Sequence, residues 1–247
     1  MGCDTLVWHT MQIALATTAP REISADGLVV FVREGKVADP TVRVLDRALG
    51  GHLQRSLQRH AFRGQDGQVV AVDTHGRLPM HQVFAVGLGQ RATPDAYRRA
   101  SAFVQRAVRG HVAVVAPSGS GRVWAASVQG LVEGALLGHY RFEKYRKPKP
   151  DQHAASDISI LVTPGARAAA TRAVTRGETF ARAAMLARDL VNEPPGEVTP
   201  GRLVAEAERL AKQPGVRIKV FDAKQLATMG AGALLGVGRG SDDPPSL

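Results

Sequence analysis

Ala187-Arg188-Asp189-Leu190-Val191-Asn192-Glu193-Pro194-Pro195-Gly196-Glu197-Val198-Thr199-Pro200 is the stretch on which the reading of this chain turns. A long helical pattern runs into it and stops at Asn192. Pro194 and Pro195 cannot continue a helix, and Pro194 pushes Glu193 toward extended geometry. Gly196 leaves the backbone free to turn. Thr199 then supplies an N-cap, with Pro200 at the first helical position. Two helices therefore meet at a stiff proline corner. The residues before the corner read as one α/β domain, and those after it read as the beginning of another.

Upstream, short apolar runs alternate with helical patterns. Leu6-Val7-Trp8 and Met11–Leu15 are candidate first strands, and Leu28–Val32 is a buried strand entered from Asp26-Gly27. Asp39-Pro40 opens a helix over 41–60 that Gly50-Gly51 should kink or break. Val69–Val72, Val83–Val86, Val112–Ala116 and Ile158–Val162 read as further strands. Thr93-Pro94-Asp95 starts a helix to Val108, and Val123–Leu137 is a second, small-residue helix. Arg141 to Pro150 is a basic, proline-broken connection. Strands alternating with helices predict a largely parallel or mixed sheet with helices on its faces. The boundary falls near Thr163-Pro164-Gly165, giving domains over 1–165 and 166–247, the second opening with one long helix over 166–191. Downstream of the corner the pattern predicts a helix (Pro200–Lys212), a strand (Val216–Val220), a short helix (Ala223–Met229) and a strand (Ala233–Val237). An uncovered edge at Ala233–Val237 would be an aggregation hazard.

The composition sets limits on function. A hydrophobic fraction of 44% is globular, and 5% aromatic residues is too few for a stacking platform on single strands. Net charge is +10, mostly arginine in excess and spread along the chain, which allows weak DNA binding but fits a solvated surface better. The single cysteine, Cys3, cannot form an internal disulfide, and no apolar run reaches the ~18 residues of a membrane span. A cytoplasmic protein with no membrane partner is the expectation.

Motif by motif, the chemistry is incomplete. Gly87-Leu88-Gly89-Gln90-Arg91-Ala92 has the shape of a dinucleotide loop, but Thr93-Pro94 starts the helix too late and no acidic strand end follows at the required distance. Pro117-Ser118-Gly119-Ser120-Gly121 lacks the lysine of a phosphate-binding loop. His52, His60, His75 and His81 have no zinc-helix spacing, although His75 and His81 flank a turn and could meet. Asp242-Asp243 fits a solvated turn better than a metal site.

The segment Ala187–Pro195 with Val198-Thr199-Pro200 resembles the entry to the catalytic domain of the leucyl aminopeptidase (cytosol aminopeptidase) family. Gly230-Ala231-Gly232-Ala233-Leu234-Leu235-Gly236-Val237-Gly238-Arg239-Gly240-Ser241 with Pro244-Pro245 is similar to that family's next block. Gly130–Gly138 with Tyr140–Tyr145 resembles the end of its N-terminal domain. Leu45–Gly51, Leu78-Pro79 and Val86–Gly89 resemble its beginning. The resemblance implies a macro-like N-terminal α/β domain, a long linker helix and an incomplete α/β catalytic domain. It also implies homohexamers that release N-terminal residues from peptides with two divalent metals, manganese or zinc. The family's metal-binding blocks, of the form VGKGxxFDTGG and NTDAEGR, do not occur here. No catalytic, cofactor-binding or metal-binding residue can therefore be carried over. The chain is expected to bind no metal and to be inactive alone. The other readings are a binding module for DNA or a nucleotide-type ligand, or a subunit that assembles with a separate catalytic chain.

Overall fold

A computed structural model describes residues 11–37, 39–147 and 155–247. The candidate strand Leu6-Val7-Trp8 and Cys3 lie outside the described residues. The chain divides into two compact units, Met1–Met185 and Leu186–Leu247.

The first unit is built on six strands: β1 (Gln12–Ala16), β2 (Gly27–Val32), β3 (Val69–Asp73), β4 (Gln82–Gly87), β5 (Gly110–Val115) and β6 (Ala155–Leu161). Their order is β1-β6-β5-β2-β4-β3. Every neighbouring pair is parallel except β3–β4, where Val69 lies opposite Val86 and Asp73 opposite Gln82. The near-continuous apolar runs of β2 and β4 are what a strand covered on both faces requires.

Alternation along these strands feeds two cores. On one face Leu28, Val30, Val32, Val83 and Ala85 pack with Val42, Leu45, Leu49, Leu53 and Leu57 of α1 (Pro40–Ala48) and α2 (His52–Arg59). Each such fully buried aliphatic contributes about 1.5–3 kcal/mol of transfer free energy. The expected break between these helices is present. Gly50 and Gly51 take φ of +62° and +78°, values that cost a side-chain-bearing residue strain. On the other face Val29, Phe84, Val112, Ile158 and Ile160 pack beneath α3 (Pro94–Ala107), α4 (Gly121–His139) and the start of α5 (Arg167–Asn192).

α3 and α4 approach closely because α4 presents glycine every fourth residue. A Cβ at Gly130 would stand 2.3 Å from the Pro94 carbonyl oxygen, and one at Gly134 2.0 Å from that of Arg98. One at Gly138 would stand 2.8 Å from Ala102 Cα. Residues four apart share a helix face, so the three glycines form one groove into which the α3 backbone sinks. Across this seam Arg98 Nε donates to Glu133 Oε2 at 2.7 Å, while Gln129 Nε2 donates to Glu133 Oε1 at 2.7 Å. Burial works against the Arg98 charge, but the hydrogen bonds and charges of Glu133 and Asp95 outweigh it and raise its pKa.

The second unit opens within the last turns of α5 and holds α6 (Pro200–Ala211), α7 (Ala223–Thr228) and α8 (Gly232–Gly238). The proline corner is as the residues dictate. Thr199 Oγ1 accepts from Arg202 N at 3.3 Å, Pro200 is the first helical residue, and Asp222 with Gln225 makes a capping box for α7. Two expected strands are corrected here. Ala233–Val237 is helical, within α8: an apolar run this short has no decisive period, and its alanine and leucines favour helix. Val216–Val220 has a strand's alternation but joins no ladder among the described residues, because a strand exists only with a partner.

Candidate functional site

Each motif that could carry chemistry is placed by this scaffold. The loop after β4 is the first. Leu88 N donates to Val32 O, Gly89 N donates to Gly64 O, and Glu34 N donates to Gly89 O. Two of the loop's amides, those of Leu88 and Gly89, are thus bonded to neighbouring backbone. Thr93 Oγ1 accepts from Ala96 N at 3.2 Å and closes the α3 terminus itself. Gly87–Ala92 joins β4 to α3.

Pro117–Gly121 lies at the C-terminal end of β5, next to β2, where successive connections leave the sheet in opposite directions. That is where open α/β sheets usually bind ligands. The loop is held by Trp124 Nε1, which donates to Pro117 O at 2.8 Å. It carries no cationic side chain before Arg122, and Ser120 makes no side-chain cap bond.

His75 and His81, which could meet, flank the turn between β3 and β4. Thr74 N donates to His81 O, but the His75 ring lies against His52, with centroids 5.3 Å apart. His81 instead lines a shallow cleft of about 500 Å³ with Asp26, Gln82, Phe84, Val108, Arg109 and Gly110. Three sequence-distant segments meet there because β2, β4 and β5 start side by side, so no local signal marks it in the sequence. The Asp26 carboxylate is already committed: its Oδ2 accepts from His111 N at 2.7 Å. The cleft also sits at the N-terminal edge of the strands, opposite the usual ligand edge.

Asp243 N donates to Ser241 Oγ at 3.2 Å, so Asp242-Asp243 belongs to a local turn. Asp189 is buried near the end of α5. Tyr97 packs edge-on against Phe31 at 5.4 Å, and its phenol is pushed up to about 12; burial is the main cause and the charge of Asp39 adds to it. It faces the core and no open site. Among the described residues no group of three or more His, Cys, Asp and Glu side chains is placed to hold a metal ion. These residues do not fit a metal centre, and no hydrolytic step is assigned to them.

Comparison with known proteins supplies what the site does not. Residues 29–149 match the model of the cytosol aminopeptidase family's N-terminal domain, and residues 185–247 match that of the same family's catalytic domain. The two matches follow one another in family order and between them take in most of the chain. The chain belongs to the cytosol aminopeptidase family. A probable cytosol aminopeptidase of Geobacter sp. (strain M21) is 34% identical over 96% of this chain and 49% of its own length. That of Aquifex aeolicus (strain VF5) is 36% identical over 91% and 45%. Among solved structures, a tomato leucine aminopeptidase mutant matches with a TM-score of 0.81 at 25% identity, over 98% of this chain and 51% of its own. The bottromycin maturation enzyme BotP in complex with Mn matches with a TM-score of 0.67 at 31% identity, over 90% and 44%.

The chain thus spans about half the length of the curated relatives it matches. The resemblance read from the proline corner and the Gly230–Pro245 block is borne out, and the mixed α/β architecture is that of a leucine aminopeptidase. No described helix is long and apolar enough to cross a membrane.

Proposed function

We propose that this chain is the N-terminal portion of a metal-dependent aminopeptidase that releases N-terminal residues from peptides in the cytoplasm. Residues 1–165 serve as the N-terminal domain, and residues 166–247 as the linker helix and opening of the catalytic domain. Two divalent cations, manganese or zinc, would polarise the scissile carbonyl and activate water in the complete site. Their ligands are not among the residues of this chain, so the chain alone binds no catalytic metal and turns over no peptide. A hexamer, as the family resemblance implies, is the expected assembly of the complete enzyme.

The ordered match to both domains of one family carries this reading. The test is hydrolysis of a leucine chromogenic substrate by purified residues 1–247 with manganese or zinc. No chelator-sensitive turnover is expected. Turnover that chelator abolishes would overturn the statement that the chemistry lies elsewhere.

A further inference from the structure

The corner between α1 and α2 meets the turn between β3 and β4, and the two segments bring together His52 and Arg55 from the corner and His75 and Arg77 from the turn. Both guanidiniums are anchored on backbone carbonyls. Arg77 Nη1 donates to Leu49 O at 3.1 Å, and Arg55 Nη2 donates to Gly50 O at 3.0 Å. Those carbonyls belong to consecutive residues, so the two cations are held at neighbouring points of one corner. The corner leaves room for them: a Cβ at Gly50 would lie 2.6 Å from Arg77 Nη1, and one at Gly51 2.7 Å from Arg55 Nη1. Among the described residues neither guanidinium is in an ion pair. Asp46, the carboxylate of the same corner, accepts from Gln54 N at 2.9 Å. The His52 and His75 rings meet with centroids 5.3 Å apart. His75 holds its place at a conformational cost. It and Gly76 take φ of +50° and +72°, and Arg77 N closes the turn on Thr74 O at 3.0 Å. Glycine or asparagine is usual at the first such position, where a larger side chain is strained. The turn is firmly seated, because buried Thr74 donates Oγ1 to Met80 O at 2.6 Å. A strained residue in a firmly held turn points to a role beyond folding.

We propose that His52, Arg55, His75 and Arg77 form an anion site that takes a phosphoryl dianion. Each guanidinium spends one N–H on its carbonyl and keeps the rest of its fork for a ligand. Because the carbonyls already hold them in place, the two side chains lose little freedom on binding. Two fixed cations match a divalent anion. A tetrahedral phosphoryl group presents three terminal oxygens in different directions, so it accepts from both forks and from an imidazole N–H together. A carboxylate presents two oxygens in one plane, carries a single charge and satisfies one fork. The ligand is inorganic phosphate or a small phosphate monoester, which present the same group. The site uses residues of the first unit alone and requires no metal, so it stands apart from the aminopeptidase reading.

The test is calorimetric titration of the full chain with inorganic phosphate, phenyl phosphate and acetate in chloride buffer. Phosphate should bind saturably and tighter than acetate by about tenfold or more. Phosphate that binds at least as tightly as phenyl phosphate assigns the free ion as the source, and tighter phenyl phosphate assigns a monoester; both support the site. Arg55→Gln and Arg77→Gln should each weaken phosphate binding by about tenfold or more, the loss of a hydrogen bond between charged partners. Arg59→Gln makes the same charge change on the same helix and should weaken it by less than about twofold, since screened charge alone is at work. His75→Gly relieves the positive φ, so that variant should melt no lower than the parent while binding phosphate about threefold or more weaker. No saturable phosphate binding would overturn the proposal. So would acetate binding as tightly as phosphate, or an equal loss in all three arginine variants, which would reduce the effect to net charge. So would unchanged phosphate affinity in a stably folded His75→Gly. None of these readouts involves a metal or peptide cleavage, so their failure is separable from failure of the aminopeptidase reading.

Discussion

Gly134→Ala sets two effects of opposite sign against each other. Gly134 is in the interior of α4, where alanine is favoured over glycine by about 1 kcal/mol of helix propensity. The new Cβ, however, would stand 2.0 Å from the Arg98 carbonyl oxygen and 2.8 Å from its carbon, whereas ordinary contact begins at 3.4 Å. The obstacle is backbone of α3, which cannot rotate aside as a side chain would. α3 and α4 must separate by roughly 1 Å, loosening the seats of Gly130 and Gly138 and stretching the Arg98–Glu133 pair. Overpacking of this kind costs about 1–3 kcal/mol, and a rigid backbone partner puts it at the upper end. The net loss is about 2 kcal/mol, or about 4–8 °C in midpoint for a unit of this size. Thermal and urea unfolding followed by circular dichroism measure it. Gly236→Ala is the contrast: this glycine is also helical, but nothing lies within 4 Å of an added Cβ, so its stability should hold or rise slightly. A Gly134→Ala protein that melts at or above the parent temperature would refute the close-approach argument.

Other consequences can be checked in the same preparation. Tyr97 keeps its proton to about pH 12 in the folded protein and loses it near 10 when unfolded, so the stability it contributes is fully present below pH 10 and drains away between 10 and 12. Tyrosinate absorbance should show a late-titrating phenol that disappears in Tyr97→Phe, and the alkaline loss of stability should shrink in that variant. Arg98→Met strips Glu133, whose side chain is only 10% exposed, of its cationic partner and should cost about 1–3 kcal/mol, less than a fully buried pair because Arg98 is 38% exposed; Glu133→Gln should recover part of that loss in the Arg98→Met background. Asp26→Ala removes the acceptor for His111 N at the start of β5 and should speed amide exchange at His111 by about tenfold or more, with a stability loss of about 1 kcal/mol.

The elements of the first unit were legible because each is decided by its own residues. The Gly50-Gly51 break, the Thr93 and Thr199 caps and the Leu28–Val32 strand all follow from local chemistry that the tertiary fold then uses. The second unit was less so. Ala233–Val237 is apolar and short, and only its helix-forming alanine and leucines, against one β-branched valine, separate the two outcomes. Val216–Val220 has the right alternation, but pairing is a non-local property and its first rung comes from Leu247, twenty-six residues beyond Phe221. The cleft at Asp26, His81 and Arg109 was hidden for the same reason: strand order alone assembles it. The loop of Gly87–Ala92 was legible as a strand-to-helix connection from Thr93-Pro94, and its Leu88 and Gly89 amides bond to Val32 and Gly64.

The division of labour between this chain and the rest of an aminopeptidase is tested most directly by complementation. Purified residues 1–247 are mixed with a separately expressed polypeptide carrying the remainder of the catalytic domain of the Geobacter relative, in the presence of manganese. Leucine-substrate hydrolysis is then followed with and without chelator. The expected result is no turnover from either part alone and chelator-sensitive turnover from the mixture. Chelator-sensitive turnover by residues 1–247 alone would contradict it.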